Sequence, residues 1–303
     1  MLDLEIDVSV GDPWRVGPVD VFPVFGPRAR TVDYLTSVAA ASSGLLECCE
    51  LNPPDRGAVL ATNVATVPVL LPAGTLLVGG AQDRVVATGA LCPPRAAVVV
   101  GVCGVEPDRW GPLGPLVPTD RCAPGSVRGV LAASLAADSD NKDTCTADQD
   151  AVWYSCAAFT EPDVAGGLDR AAGEVAGLLA TDLDRLAPEP DQVGVVCAIG
   201  PTVVGLDVFD RPAALARHLR GIVAGHALDA HFYAPAPEPA VDEVDRFLGL
   251  LDGIEGTMLT EAGMAGAFRL EGLLSGTGLD ADGVIVHLAA FARHRPGGTA
   301  LIG

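Results

Sequence analysis

The chain has 303 residues, with 39 acidic and 19 basic side chains, a formal charge of -20 and 49% hydrophobic residues. That balance excludes wholesale disorder, and the acid excess argues against nucleic acid or an anionic membrane surface as partner, since both attract positive patches. The 36 Gly and 24 Pro, against only 5% aromatics, favour many turns and short elements over a long helical bundle.

The N-terminus, MLDLEIDVSVGDPWRV, carries acids where an export signal needs a basic region and has no apolar centre, so a cytoplasmic protein is expected. Val19 to Phe25 reads as a short strand, placed at an edge or an end by Pro23. Tyr34 to Ser43 reads as a short helix and Leu45 to Leu51 as extended chain. Val59 to Asn63, Val67 to Leu71, Leu76 to Val78 and Arg84 to Leu91 read as further strands. The uncharged run Ala58 to Gln82 is long enough for a bilayer, which needs ~20 apolar residues. Asn63, Pro68, Pro72 and the pair Gly79-Gly80 instead divide it into two buried strands joined by a proline-bearing turn. Ala96 to Val105 is rich in β-branched residues and is expected to be buried on both faces. A strand spacing of about ten residues points to an antiparallel sandwich or barrel-like sheet.

Glu106 to Gly129 is so rich in Pro and Gly that it reads as a long loop. Ser126 to Ala137 reads as a helix capped by Ser126, and Asp138 to Asp150 as an exposed acidic segment. Ala151 to Phe159 reads as a helix. Leu168, Val175, Leu178, Leu179, Leu183 and Leu186 share one helical face. Val193 to Val208 reads as a hairpin turning at Gly200-Pro201. Asp210 and Pro212 form a helix start, N-cap then Pro in the first turn, and Leu215, Leu219, Ile222 and His226 share a face of that helix. Ala234 to Pro239 reads as a linker, Val241 to Leu251 as an amphipathic helix and Gly283 to Phe291 as a buried strand. The expected fold is α+β, with a largely antiparallel, β-rich N-terminal half and a helix-rich α/β C-terminal half. It forms one compact domain over 1–303, subdivided into a β-rich 1–115 and an α/β 126–303.

Eight cysteines without a C-x-x-C, and no export signal, read as reduced thiols in the core, with Cys122 and Cys145 exposed. No H-E-x-x-H, Walker loop, dinucleotide fingerprint or G-x-S-x-G occurs. Gly79-Gly80-Ala81-Gln82-Asp83-Arg84 is the segment richest in chemistry. Paired glycines let a ligand approach the backbone, and Arg84 offers a bidentate grip on phosphate or carboxylate. The same residues also make a tight turn with a structural Arg–Asp pair. Glu106, Arg109 and Trp110 leave a strand end together, either as a polar cleft with an aromatic wall or as a loop anchored by a salt bridge. Asp148-Gln149-Asp150 opens a helix beside Asp138, Asp140 and Asp143. A solvated acidic loop accounts for these better than a metal site, and no metal ligands are assigned. His287 alternates with apolar residues and reads as a core histidine or a weaker catalytic candidate.

Several blocks occur in one order over nearly the whole length: VFPVFGPRARTVDYLTSVAAASSGLLECCE, PVLLPAGTLLVGGAQDRVVATGALCPPRAAVVVGVCGVEPDRW, DQDAVW, and VGVVCAIGPTVVGLDVFDRPAALARHLRGIVAGHALDA with the closing VIVHLAAF. Together they resemble the ADP-ribosylglycohydrolase- and rhodanese/phosphatase-associated protein domain family of bacteria and phages. The chain departs from the family's central motif, Gly-Glu-Glu-Leu followed by Gly-Ala-Lys-Gln-Asn-Arg. Thr75 and Leu76 replace the two acids, Ala81 the lysine and Asp83 the asparagine. The resemblance implies a role in NAD or ADP-ribose metabolism, through gene neighbourhood rather than demonstrated catalysis. The leading expectation is binding or processing of an NAD/ADP-ribose-related or other phosphorylated metabolite. Gly79, Gly80, Gln82 and Arg84 would bind it, with Arg109 as clamp and Trp110 as wall. Glu106 is the general acid/base candidate, followed by Asp83 and His287. The alternatives are a non-catalytic structural or regulatory partner of a neighbouring enzyme, a homo-oligomer included, and a divergent enzyme of specialised metabolism. No cofactor is indicated.

Overall fold

The computed structural model describes residues 2–4, 6–27, 33–107, 109–137, 145–159, 167–234 and 239–292. Two β units dominate. The larger is a ten-stranded antiparallel sheet whose main path runs Leu2–Asp3, Glu255–Glu261, Gly266–Glu271, Leu274–Ala281, Val284–Ala292, Thr202–Phe209, Gln192–Ile199, Val19–Phe25 and Ser9–Val10, with Trp14–Val16 also on Val19–Phe25. The smaller is a closed six-stranded barrel of Arg84–Val86, Ala96–Gly104, Ala58–Asn63, Leu46–Glu50, Pro115–Cys122 and Thr75–Gly79. A three-stranded sheet, Ala90–Cys92, Val69–Leu71 and Leu35–Thr36, adjoins it, with the short helix Ser37–Ser42 following Thr36.

The architecture is α+β, but its strands run through both halves of the chain. The first strands, up to Phe25, belong to the sheet built mainly by the C-terminal part, and the barrel is formed by the stretch between. Alternation along the sheet strands explains the two cores. Val19, Val21, Val195, Cys197 and Ile199 face one cluster with Leu215, Leu219 and Ile222 of helix Pro212–Ala227. Phe22, Val24, Val196 and Ala198 face another, with Val244 and Phe247 of helix Val241–Gly249.

Several local expectations are corrected. Val19–Phe25 is not an edge strand. Pro23 is tolerated because it falls between the registers of its two short outer partners, which pair at Val21 and at Val24, and its carbonyl accepts from Gly11 N at 2.9 Å. The Pro/Gly-rich stretch after Glu106 contains a barrel strand, Pro115–Cys122. Pro115 opens it, and Pro118 pairs only with Leu77, so neither proline costs the two-sided ladder much. Ala96–Gly104 is partly exposed over its first four residues and buried only beyond them. Ser126 does not cap its helix. Helix Gly125–Ser134 starts after Pro124, and the Ser126 hydroxyl donates to Asp229 at 2.6 Å. Asp210 is not the cap of Pro212–Ala227 either; Arg211 holds that position, and Asp210 accepts from the Tyr34 hydroxyl instead. The face from Leu168 to Leu186 is split into helices Gly167–Leu178 and Ala180–Arg185. Cys122 and Cys145 are buried: the Cys122 sulfur lies near Gly74 and that of Cys145 near Gly101. The acidic stretch 138–144 and most of the linker expected over 234–239 lie outside the described residues. Among the described residues no helix is long and apolar enough to cross a membrane.

Helix Pro212–Ala227 lies on the end of the Pro115–Cys122 strand at its glycines. A Cβ at Gly225 would stand 2.6 Å from the carbonyl oxygen of Cys122 and 3.0 Å from that of Ala123, backbone atoms that cannot swing aside. Gly225→Ala is therefore expected to lower stability in urea titration. The overpacking costs ~1–3 kcal/mol against a helix-propensity gain of ~1 kcal/mol. Gly177→Ala, where nothing lies within 4 Å, keeps only the gain and serves as the control.

Candidate functional site

The turn between barrel strands Thr75–Gly79 and Arg84–Val86 sits at one barrel mouth. Both glycines have positive φ, 118° at Gly79 and 57° at Gly80, a region that favours glycine. Both are also closely approached from within the chain. A Cβ at Gly79 would lie 2.6 Å from the Pro115 carbonyl oxygen, and one at Gly80 would lie 2.7 Å from the Glu50 carboxylate. Glu50 accepts from Ala81 N at 2.6 Å and from Gly114 N at 2.9 Å, tying the turn to the loop before Pro115.

Asp83 and Glu106 are brought together here. Asp83 Oδ1 accepts from Gly79 N at 2.9 Å, and Glu106 Oε2 accepts from Asp83 N at 2.8 Å. Arg109 donates to Glu106 at 2.6 Å and lies 3.4 Å from Asp83. Burial raises the Asp83 pKa above its ordinary value, and nearby Glu106 adds to this, while the Gly79 N–H and Arg109 oppose it. Gln82 is satisfied with its amide nitrogen donating to the Glu106 carbonyl at 3.1 Å and its oxygen accepting from Arg84 Nη1 at 2.8 Å. Gly104 leaves room for this: a Cβ there would lie 2.7 Å from Gln82 Cδ.

Arg84 is fully buried, and its Nε and Nη2 have no hydrogen-bond partner among the described residues. Burial pushes its pKa down. Its guanidinium carbon lies 5.3 Å from the centre of the Trp110 ring, and that of Arg56 lies 4.8 Å from the same ring. Trp110 itself is 42% exposed. Arg56 also lines a cleft of about 390 Å³ between the Asp55–Ala58 segment, the end of strand Ala96–Gly104 and the start of helix Gln149–Cys156. Gln149 fastens that helix to the barrel through both polar atoms, accepting from Gly104 N and donating to Gly104 O at 2.8 Å each. Asp148 caps the helix by accepting from Ala151 N at 3.0 Å. Trp153 lines the cleft, and its Nε1 has no partner among the described residues.

The structure thus brings Gly79, Gly80, Gln82, Asp83, Arg84, Glu106, Arg109 and Trp110 to one mouth. His287 makes its contacts elsewhere, with Asp207 on the large sheet at 3.1 Å. Arg56 escaped sequence reasoning, the charged residue set in Pro53-Pro54-Asp55-Arg56-Gly57 being the available signal, while Glu50 and Trp153 close two of the quoted sequence blocks but were given no role there. Asp207 and Arg128 escaped it too. A lone acid within the apolar run Val203–Phe209 marks a buried pair, because carboxylates are almost never fully buried unless paired. Asp138, Asp140 and Asp143 lie outside the described residues, and among those described no group of three or more His, Cys, Asp or Glu is arranged to hold a metal ion.

The family described as the ARG and Rhodanese-Phosphatase-superfamily-associated Protein domain (ARPP-1) matches residues 7–291, and the chain belongs to it. No curated protein and no solved structure gives a significant match.

Proposed function

For this member of the ARPP-1 family we propose that the chain binds a small phosphorylated metabolite, NAD- or ADP-ribose-related or another anion of that size, in the cleft beside the barrel mouth. The observation that carries the reading is the pair of guanidinium groups, Arg56 and Arg84, at the Trp110 ring next to a cleft of about 390 Å³. Clefts that bury small ligands run ~300–1,000 Å³. Arg56 offers the planar fork of donors that suits phosphate, and Trp153 forms part of the cleft wall. Arg84, buried behind Trp110, contributes its positive field rather than direct contact.

Binding without turnover is the form the geometry favours. The carboxylates of Asp83 and Glu106 accept from backbone amides of the turn itself. Thr75, Leu76 and Ala81, at the positions where the family's motif carries acids and lysine, are all buried. A regulatory or structural role, with the metabolite as effector, follows from this.

The test is thermal unfolding of the full chain with ADP-ribose, and separately with inorganic pyrophosphate, for the native protein and for Arg56→Gln. A ligand at 100 times its Kd stabilises by ~2.7 kcal/mol, which moves the midpoint visibly. The expected result is a shift in the native protein that Arg56→Gln loses, while Arg220→Gln, on a distant helix, keeps it. The absence of any shift with either probe refutes the reading.

A further inference from the structure

Away from the barrel mouth, four strongly polar side chains meet between helix Gly125–Ser134, helix Pro212–Ala227 and the large sheet. Arg128 grips Asp207 with two bonds, Nη1 to Oδ2 at 2.9 Å and Nη2 to Oδ1 at 2.5 Å. His287 Nε2 meets the same carboxylate at 3.1 Å. His218 stacks on Phe209 with ring centres 5.3 Å apart and planes 8° from parallel, and Phe209 also touches the His287 ring, at 4.6 Å. Arg128 is 3% exposed, Asp207 and His287 1% each, and His218 8%.

The protonation pattern follows from the partners. Burial alone would raise the Asp207 pKa, but the Arg128 charge and the bonds from His287 and Arg128 outweigh it and hold the carboxyl well below its ordinary range. Burial lowers the His287 pKa against the pull of Asp207, so the imidazole is neutral near pH 7. A neutral imidazole carries one proton, and facing an ionised acceptor that proton sits on Nε2. Nδ1 is then a bare acceptor, and it has no hydrogen-bond partner among the described residues; neither does His218 Nε2.

Both imidazoles, with Asp207, line one small cavity of about 10 Å³. Thr75, Thr119, Asp120 and Arg121 also line it. A space of ~10–15 Å³ on this measure admits one water molecule, and a buried water needs 2–4 polar partners. A buried polar group left unpaired costs ~1–3 kcal/mol, so a water in this cavity would relieve two unpaired imidazole nitrogens carried by residues that line it.

We propose that this cavity is a binding site for a single water molecule, held as hydrogen-bond donor to His287 Nδ1 and bonded to His218 Nε2. Asp207, fixed by Arg128, is the positioning residue that sets the His287 tautomer. The water extends the chain Arg128–Asp207–His287 to His218. The site is independent of the cleft at Arg56.

The experiment is nuclear magnetic resonance of the full chain labelled with nitrogen-15 in its histidines. Ring nitrogen shifts report the tautomers, and water-to-ring cross-relaxation reports a long-lived water. The expected result is an Nε2–H tautomer at His287, with a long-lived water seen by the ring protons of His287 and His218. His218→Leu then removes the water signal and leaves the His287 tautomer unchanged. Asp207→Asn moves the His287 proton to Nδ1, which a merely space-filling residue would not do. An Nδ1–H tautomer in the native protein, or the expected tautomer with no long-lived water, overturns the proposal. The native spectrum decides even if a variant does not fold.

Discussion

Replacing Arg128 with Met is expected to destabilise the protein by ~3–5 kcal/mol, the cost of leaving a buried charge without its partner. Both of its bonds to Asp207 are lost, and among the described residues only His287 then offsets the carboxylate. Without Arg128, burial disfavours the Asp207 charge with only the His287 bond left to oppose it. Urea titration near pH 7 measures the loss. The double variant Arg128→Met, Asp207→Leu is expected to lose clearly less than the sum of the two single variants, since removing both charges together leaves no unpaired ion. An Arg128→Met protein within ~0.5 kcal/mol of the native one, the range of ordinary surface substitutions, contradicts a buried ion pair.

Acid is the second large lever. Burial lowers His218 to a pKa of about 4 and His226 to about 3, and lowers His287 as well. Around His226 this is geometric. A Cβ at Gly125 or at Gly205 would stand 2.6 Å from its ring, and neither ring nitrogen has a partner among the described residues. The unfolded chain binds protons at these histidines near pH ~6.5, before the folded chain does, so their stabilisation is complete above that pH and falls as pH drops toward 4 and 3. Asp229 works the other way. Burial raises it to about 6, against the bonds it accepts from Ser126, so its contribution is present at low pH and lost as pH rises through 6. Two to three histidines outweigh one aspartate. A net loss on the order of 2 kcal/mol is expected between about pH 7 and pH 5, because each tenfold difference in proton affinity between folded and unfolded chain is worth ~1.4 kcal/mol. Denaturant midpoints across that range measure it. A flat profile there would sink this account, and His226→Leu should reduce the slope.

The parts of this fold that were legible in the sequence are those whose local pattern agrees with the final packing. The hairpin Gln192–Ile199 and Thr202–Phe209 is visible as two β-branched runs about a Gly-Pro turn, and helix Pro212–Ala227 as an apolar stripe after a proline. Strands Glu255–Glu261, Gly266–Glu271 and Leu274–Ala281 left no such trace. Their glycines dilute the pattern for a packing reason. A Cβ at Gly256 would lie 3.1 Å from the Phe268 ring and one at Gly278 would overlap the far end of the same ring, so a single aromatic fills the space of two neighbours' side chains. Pro115–Cys122 was hidden by its prolines, which matter only where a second partner strand lies alongside. At the candidate site, Arg84 and Trp110 could be chosen from residue type. Arg56 joins them only because the barrel closes, which no local window contains. Asp207 and His287, 80 residues apart in sequence, meet only through the sheet.

The interleaving of the two β units has a consequence for the order in which the chain acquires structure. Every strand of the barrel lies between Leu46 and Cys122, so the barrel can close as soon as that stretch leaves the ribosome. Val19–Phe25 is made earlier but must wait for Gln192–Ile199, and Leu2–Asp3 for Glu255–Gly256. Contacts so distant in sequence form slowly, because the loop must be closed before the pairing rewards it. Val19–Phe25 can pair early with its local partners Trp14–Val16 and Ser9–Val10, but its other edge stays open beside a finished barrel until Gln192–Ile199 is made, and the Arg128–Asp207–His287 centre must wait longer still, for His287.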